Sequence, residues 1–436
     1  MTEPSAETLS PPQRERVYRR NFLVLVTDGI LFTVAMSIIG PTTLIPDFIR
    51  HLTNSEVLIG LSSSIFDVGF TLPQLFIARY IVRSARKKWW FVGPNIFVRF
   101  AMLTFAIVTV LLGRERPALI LVAFLICYGI AAFGDGLVGV PWADLLGSSL
   151  DDRWRARMFG IMGGTGGVIM LGVSPILGII LSDSGPGFPN NYATIFGLAG
   201  VIFVISILPG MFIRELPSGK AVEKIASFGE FFPGLGRVLR TDGPFRALIL
   251  TRLLTNLFVM AGPFYIGFAT VQLKLSSTVA VPTLLAMQTI GNISGSAVYS
   301  WLGARNNLLY IRLALCGAII LPISALIASV VGVPLPLYIG FFVSGLAQSN
   351  LNWSYQNWVI TYATPEQRPT YAGLFNTISA VISLASPFIA GTIAQTLGYE
   401  ALFVVAIVMV LCALFVALRY LSSPHIEPAP SVAAAD

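Results

Sequence analysis

Ala401-Leu-Phe-Val-Val-Ala-Ile-Val-Met-Val-Leu-Cys-Ala-Leu-Phe-Val-Ala-Leu418 contains no hydroxyl, amide or charge. Wound into a helix at ~1.5 Å per residue, this stretch crosses most of the ~30 Å hydrocarbon core of a bilayer with its backbone polar groups satisfied internally. Similar runs recur along the whole chain. The sequence is 55% hydrophobic and only 11% charged. That is less than half the charge with which a water-soluble domain covers its surface, so most of the outside faces lipid. The runs are continuous and not alternating, which excludes an amphipathic β-barrel. Cys127, Cys316 and Cys412 lie inside apolar runs without CxxC spacing or neighbouring histidine. Neither a disulfide framework nor a zinc site is expected, and no cofactor.

Apolar runs bounded by Pro, Gly and charge clusters predict twelve spans: 21–45, 57–79, 90–112, 118–141, 157–182, 192–213, 245–271, 278–301, 308–331, 335–361, 370–394 and 398–420. The longest interruption, 214–244, separates an N-terminal six-helix bundle (21–213) from a C-terminal one (245–421), with polar tails at 1–20 and 422–436. Within it Phe228, Phe231, Phe232, Leu235, Val238 and Leu239 recur at helical spacing among Glu230, Arg237 and Arg240. Two readings fit that pattern, an amphipathic helix on the inner leaflet and a plain solvated linker. The first span is too long for a signal sequence and no small-residue cleavage site follows it, so no segment is expected to be removed.

Of the 28 basic residues, four lie in the first twenty positions, five over 79–88, three over 153–157 and six from Arg214 to Arg246, joined by Arg305, Arg368 and Arg419. All of these fall on one side of the predicted membrane, against Arg50, Arg114, Arg116 and Lys274 on the other. Positive loops resist translocation, so both termini are expected in the cytoplasm of a multi-pass cell (inner) membrane protein. Topology thereby accounts for the +7 net charge without a nucleic-acid partner.

The two halves repeat. Ala78-Arg-Tyr80-Ile-Val-Arg-Ser-Ala85-Arg86 aligns with Ala297-Val-Tyr299-Ser-Trp-Leu-Gly-Ala304-Arg305, Phe97-Val-Arg99-Phe-Ala101 with Tyr310-Ile-Arg312-Leu-Ala314, and Ser174-Pro175 with Ser386-Pro387. Thr27-Asp28 falls opposite Thr251-Arg252. The matches keep the same order in equivalent helices, as expected for parallel six-helix repeats.

With twelve spans, a long central loop and duplicated halves, the chain resembles the major facilitator superfamily over nearly its whole length. The loop Ala78-x3-Val82-Arg83-x-Ala85-Arg86-Lys87-Lys88 is similar to the superfamily's Gly-x3-Asp-Arg-x-Gly-Arg-Lys-Arg motif, with the basic residues kept and both glycines and the acid replaced. Arg155-Ala-Arg157-Met-Phe-Gly160 is similar to its basic loop between spans four and five. The resemblance implies an all-α membrane fold of two pseudo-symmetric six-helix bundles, a gating role for Arg83, Arg86, Lys87, Arg155 and Arg157, and a cavity lined by spans one, four, seven and ten. It also implies monomeric function. Cys127 stands where drug antiporters of the superfamily place an arginine, and Ser174-Pro175-x2-Gly178 replaces their full Gly-Pro motif.

An ionised side chain in hydrocarbon costs ~3 kcal/mol or more, so those present must face a cavity or a partner. Spans one, four, seven and ten hold Asp28, Asp135, Asn256 and the run Gln348, Asn350, Asn352, Trp353, Ser354, Tyr355, Gln356 and Asn357. Helical spacing puts Gln348, Asn352, Tyr355 and Gln356 on one stripe. Amides that donate and accept, beside Tyr355 and Trp353 that stack on an apolar sugar face, suit a hydroxylated small-molecule substrate. Interhelical glue is the other reading of the same amides. Gln288 and Asn292, one turn apart in span eight, form a second patch.

Asp28 and Asp135 are expected roughly 10 Å inside the cytoplasmic face, with Asp67 nearer the midplane. These acids are the expected carriers of a coupling ion, H+. Arg252, the repeat counterpart of Asp28, is expected to pair with it or with another acid across the halves. Asp28 then either alternates between an ion pair and a protonated state as the halves rock, or forms a permanent structural pair. Arg99 and Arg312 are expected to snorkel to the interface. The span-five glycines Gly163, Gly164, Gly166, Gly167 and Gly172, with Pro175, and Pro387 in span eleven, fit close helix contact or sliding surfaces.

Ser218-Gly219-Lys220-Ala221 lacks the upstream Gly and terminal hydroxyl of a phosphate-binding loop, and no carboxylate cluster or nucleophile–histidine pair suggests an enzyme. The expectation is a secondary active transporter for a small organic solute, polar or sugar-like, working by alternating access in symport with H+. Efflux of amphipathic drugs or movement of lipids is the alternative, and a non-transporting membrane receptor the reading from a different class.

Overall fold

All twelve predicted spans are helical in the computed structural model, which describes residues 11–81, 88–150, 152–214, 240–303, 305–363 and 368–422. Among the described residues, nine segments are long and apolar enough to cross a membrane by length and composition. Spans two (Glu56–Ile81), eight (Ser277–Val298) and ten complete the set as helices that carry more polar side chains. The predicted inner-leaflet helix over 228–239 lies outside the described residues, as do Arg83, Arg86 and Lys87.

Several spans differ from the continuous rods that periodicity suggests. Span one starts at Pro11, inside the stretch expected to be a polar tail, and runs to Ile39. Proline at a helix start costs no hydrogen bond, and extending an existing helix is cheap, so the arginine-bearing turns simply continue it out of the membrane. At Gly40 the backbone takes φ +53, a conformation that favours glycine, and a separate short helix, Leu44–Arg50, follows. Span seven repeats the arrangement: Gly243–Val259, a turn at Met260–Gly262, the short helix Phe264–Gly267 and a π-helical turn, Phe268–Gln272. Pro46-x-Phe48-Ile49 and Pro263-x-Tyr265-Ile266 hold the same place in the two halves. The two short helices pack on each other across the molecule.

Span ten corrects the sequence reading most. It is two helices, Leu335–Gln348 and Leu351–Tyr362, broken at Ser349 and Asn350. The polar side chains at the break bond locally, Asn350 Nδ2 donating to the Ser349 hydroxyl at 3.3 Å and Ser349 Oγ to the Leu346 carbonyl at 3.3 Å, while Asn350 also reaches Ser296 of span eight at 3.2 Å. Such bonds compete with helix continuation. The stripe from Gln348 to Gln356 is therefore interrupted.

Each bundle has its own core. Phe48 centres the N-terminal one, with the rings of Phe105, Phe124, Tyr192 and Phe196 at 5.1–5.8 Å. Tyr265 holds the equivalent place in the other, stacked on Phe403 at 4.5 Å. Glycines set the closest helix approaches. A Cβ on Gly291 would collide with the Phe342 carbonyl of span ten, and one on Gly345 with the Gln288 carbonyl of span eight. Gly291→Ala is accordingly expected to lower the unfolding midpoint in detergent, a loss of ~1–3 kcal/mol from overpacking. Gly129→Ala, where a Cβ meets nothing within 4 Å, serves as the neutral control.

The halves meet along spans two and eleven and along spans five and eight. Gly60 lies against the Phe264 ring and the Pro387 carbonyl, Gly167 against Ile293, and Gly178 against Pro282. Of the span-five glycines expected to make close contacts, Gly166 and Gly167 do so, against Thr33 and Ile293, whereas a Cβ on Gly164 or Gly172 meets nothing within 4 Å. Among the described residues, three hydrogen bonds join the halves at the end away from Pro11 and Arg419, here the far end. Ser277 Oγ donates to Asp47 at 2.8 Å, Tyr399 Oη to Glu56 at 2.6 Å, and Thr278 Oγ1 to the Leu181 carbonyl at 3.1 Å.

Candidate functional site

Arg99 sits where span three bends, between Lys88–Val98 and Ala101–Leu112. It is about 16 Å along the helix from Lys88, too deep to reach the interface. The snorkelling expected of it does not occur: the residue is only 6% exposed. Its Nη2 stands 3.3 Å from Asp135 Oδ1, its Nε donates to Asn95 Oδ1 at 3.1 Å, and the guanidinium lies 4.8 and 5.0 Å from the Phe32 and Phe203 ring centres. Asp28 and Asp135 are each 5% exposed. Asp28 feels the charges of both Arg99 and Asp135. Asp135 thus pairs with the guanidinium, and Asp28 is buried within reach of both charges inside the N-terminal bundle. Sequence reasoning found both acids and missed Arg99 and Asn95.

Arg252 takes a different partner. Its Nε donates to Ser379 Oγ at 3.4 Å and its guanidinium lies over the rings of Tyr355 and Phe375 at 5.5 and 5.6 Å. The acid whose charge it meets is Asp67 of the opposite half, not Asp28. Asp67 is eleven residues from Glu56 and Arg252 nine from Gly243, about 16 and 14 Å along their helices, so both lie near the middle of a ~30 Å membrane. Asp67 is exposed to solvent space and Arg252 half-buried.

The predicted solute-binding residues divide. Asn352, Trp353 and Asn292 are exposed and Gln356 is half-buried. Tyr355 is fully buried in the C-terminal bundle, its hydroxyl sharing a hydrogen bond with Thr255 at 2.9 Å, so its ring supports Arg252 and is closed to a solute. Asn256 Nδ2 donates to the Ser379 carbonyl at 3.5 Å. Gln288 and Gln348 converge on one small recess with Thr42, Tyr265 and Ser344. Arg155 and Arg157 belong to span five, Asp152–Leu181, but their side chains lie outside the described set.

Two six-helix bundles, joined by hydrogen bonds at one end, with Asp28, Asp135 and Arg99 buried inside one of them and Asp67 and Arg252 near mid-depth between them, define a membrane carrier. The chain belongs to the Major Facilitator Superfamily, whose family profile matches residues 28–331 and 284–436. It is a multi-pass membrane transporter and not an enzyme. No curated protein matches the sequence. Among solved structures, the nucleoside transporter NupG, in a point-mutant form, superposes with a TM-score of 0.70 at 13% identity, covering 92% of this chain and 100% of that one. The D-xylose-proton symporter gives 0.69 at 12% identity, over 93% of this chain and 98% of that one. A bacterial homologue of the human lysosomal transporter Spinster, inward-facing and unoccupied, gives 0.61 at 14% identity, over 96% of this chain and 100% of that one. At these identities the likeness establishes the fold.

Proposed function

We propose that this protein is a secondary active transporter that moves a small, polar, hydroxylated solute across the cell membrane by alternating access, in symport with a proton. The observation that carries the proposal is the imbalance of charge around Arg99: Asp135 is paired with it, Asp28 is buried near enough to feel both charges, and water scarcely reaches any of the three. A net charge there is costly in hydrocarbon, and one proton on either carboxyl cancels it. Loading and unloading that proton as the bundles rock ties its movement to that of the solute. Asp67 and Arg252 attract each other across the halves, so separating them gives the rocking a charge-dependent cost. The exposed amides of Asn352 and Asn292, beside Trp353, support a polar solute. The concentration of basic residues on one side supports cytoplasmic termini.

Solute counterflow in proteoliposomes is the direct measurement. A pH gradient of one unit stores about 1.4 kcal/mol and drives about tenfold accumulation in a one-to-one symport. Asp28→Asn and Asp135→Asn are each expected to keep counterflow while losing that accumulation. If both variants concentrate the solute as the wild type does, proton coupling through this pair is wrong.

A further inference from the structure

Beneath the contact between the turns of spans one and seven lies a half-enclosed recess of about 50 Å³. Five polar side chains line it, Thr42, Tyr265, Gln288, Ser344 and Gln348, with Phe258 and Phe341 as aromatic walls. At ~10–15 Å³ of such space per water it holds a few waters, or a single arm of a larger molecule. The Tyr265 hydroxyl is the unusual group. The residue is 1% exposed and its Oη has no hydrogen-bond partner. Burying a hydroxyl unpaired forfeits its hydration, so such groups normally find a partner. Rotation offers no escape, because the ring is held flat on Phe403 at 4.5 Å and edge-on to Phe341 at 6.0 Å.

We infer that this recess is a solute subsite that takes one uncharged, hydroxyl-bearing arm of the transported molecule, with the Tyr265 hydroxyl as its anchor. The inference rests on the reading that the solute is small and polar, and narrows it. No carboxylate or basic side chain lines the recess, so an ionised arm would enter without a counter-charge. Gln348 Nε2 already donates to Ser344 Oγ at 2.6 Å, which leaves its carbonyl oxygen as an acceptor. Gln288 offers an amide able both to donate and to accept, as does the phenol. A hydroxyl, itself donor and acceptor, matches that set; a methyl does not. A site built this way discriminates strongly against an analogue lacking the hydroxyl, since the buried polar groups are then left unpaired. Thr42 belongs to the N-terminal bundle and the other polar residues to the C-terminal one, and Thr42 meets Gly262 where both spans bend. An arm seated here touches both halves directly under the closed end, so occupancy and closure stabilise each other.

The test is a thermal-shift titration of the purified full chain in detergent with uridine, D-xylose and xylitol, against tetraphenylphosphonium as a lipophilic cation. At least one neutral probe is expected to raise the unfolding midpoint. Tyr265→Phe keeps the stacked ring and removes an unpaired hydroxyl, so its unliganded midpoint should equal or exceed the wild type, while probe affinity falls roughly three- to tenfold. Gln288→Leu should weaken the same probe. If Tyr265→Phe binds that probe as the wild type does, the subsite is wrong and the polar-solute reading stands. If Tyr265→Phe lowers the unliganded midpoint without changing probe affinity, the recess holds only a structural water and the inference falls. Silence of all three neutral probes, with or without a shift from tetraphenylphosphonium, overturns the polar-solute reading and the subsite together.

Discussion

Arg99→Leu is expected to be among the most damaging single substitutions in this chain, leaving little folded protein in the membrane. The guanidinium pairs with Asp135 in the site that also holds Asp28, is oriented by Asn95, and fills the space between Phe32 and Phe203. Breaking a buried pair by removing one partner costs ~3–5 kcal/mol, because the other charge stays buried without compensation. Loss of two desolvated cation–π contacts adds to that. Arg99→Lys keeps the charge but not the planar fork that reaches Asp135 and Asn95 together, and should fall between the wild type and Arg99→Leu. The decisive comparison is a double-mutant cycle: Arg99→Leu with Asp135→Asn removes both charges and should recover more than half of the lost stability. The readouts are monodisperse yield of a fluorescent fusion and the unfolding midpoint in detergent. Equal stability of Arg99→Leu and the wild type would mean that the acids do not depend on this cation.

Why Arg99 escaped the sequence reading while the spans did not is a matter of dimension. Runs such as Ala401–Leu418 announce themselves along the chain, since bilayer thickness sets their length and lipid sets their composition. Loop charge is read in the same linear way. The partner of Arg99 is on span four, and nothing in the linear sequence relates the two. The repeat even suggested a wrong analogy. Arg312 matches Arg99 in the sequence, yet its Nε donates to the Ala417 carbonyl at 3.1 Å and its Nη2 to the Leu421 carbonyl at 3.0 Å, closing the end of span twelve without any acid. The break in span ten was masked for another reason. Helical periodicity counts Ser349 and Asn350 as ordinary members of a polar stripe, whereas their side chains favour local bonds over continuation. Tyr265 carried no signal at all: within Pro263-Phe-Tyr-Ile-Gly-Phe268 it reads as one more apolar core residue, and only packing reveals a hydroxyl left without a partner.

Ser277→Ala combined with Tyr399→Phe is expected to open the far end. Closure there relies on two carboxylates of the N-terminal half that accept hydrogen bonds from the C-terminal half, Asp47 from Ser277 at 2.8 Å and Glu56 from Tyr399 at 2.6 Å. Both acids are already held within their own half. Tyr192 Oη donates to Asp47 at 2.6 Å, and Arg50 binds Glu56 through Nη1 at 2.6 Å and Nη2 at 3.2 Å. Deleting the two C-terminal donors therefore leaves each carboxylate partnered and the N-terminal bundle intact, so the change acts on the join between the halves and not on folding. Hydrogen bonds to charged acceptors contribute about 1.5–3 kcal/mol each. Losing both shifts a two-state equilibrium by a factor on the order of a hundred or more toward the state open at this end. Asn352→Cys, in a background lacking Cys127, Cys316 and Cys412, reports the shift through labelling by a membrane-impermeant maleimide applied from the far side. Labelling should rise at least tenfold in the double variant, less in either single one, and least when Thr278→Ala is tested alone, because its bond is to a neutral carbonyl. Unchanged labelling in the double variant would mean that apolar packing, with Gly60 on Phe264 and Gly178 on Pro282, holds the far end shut without help from the carboxylates.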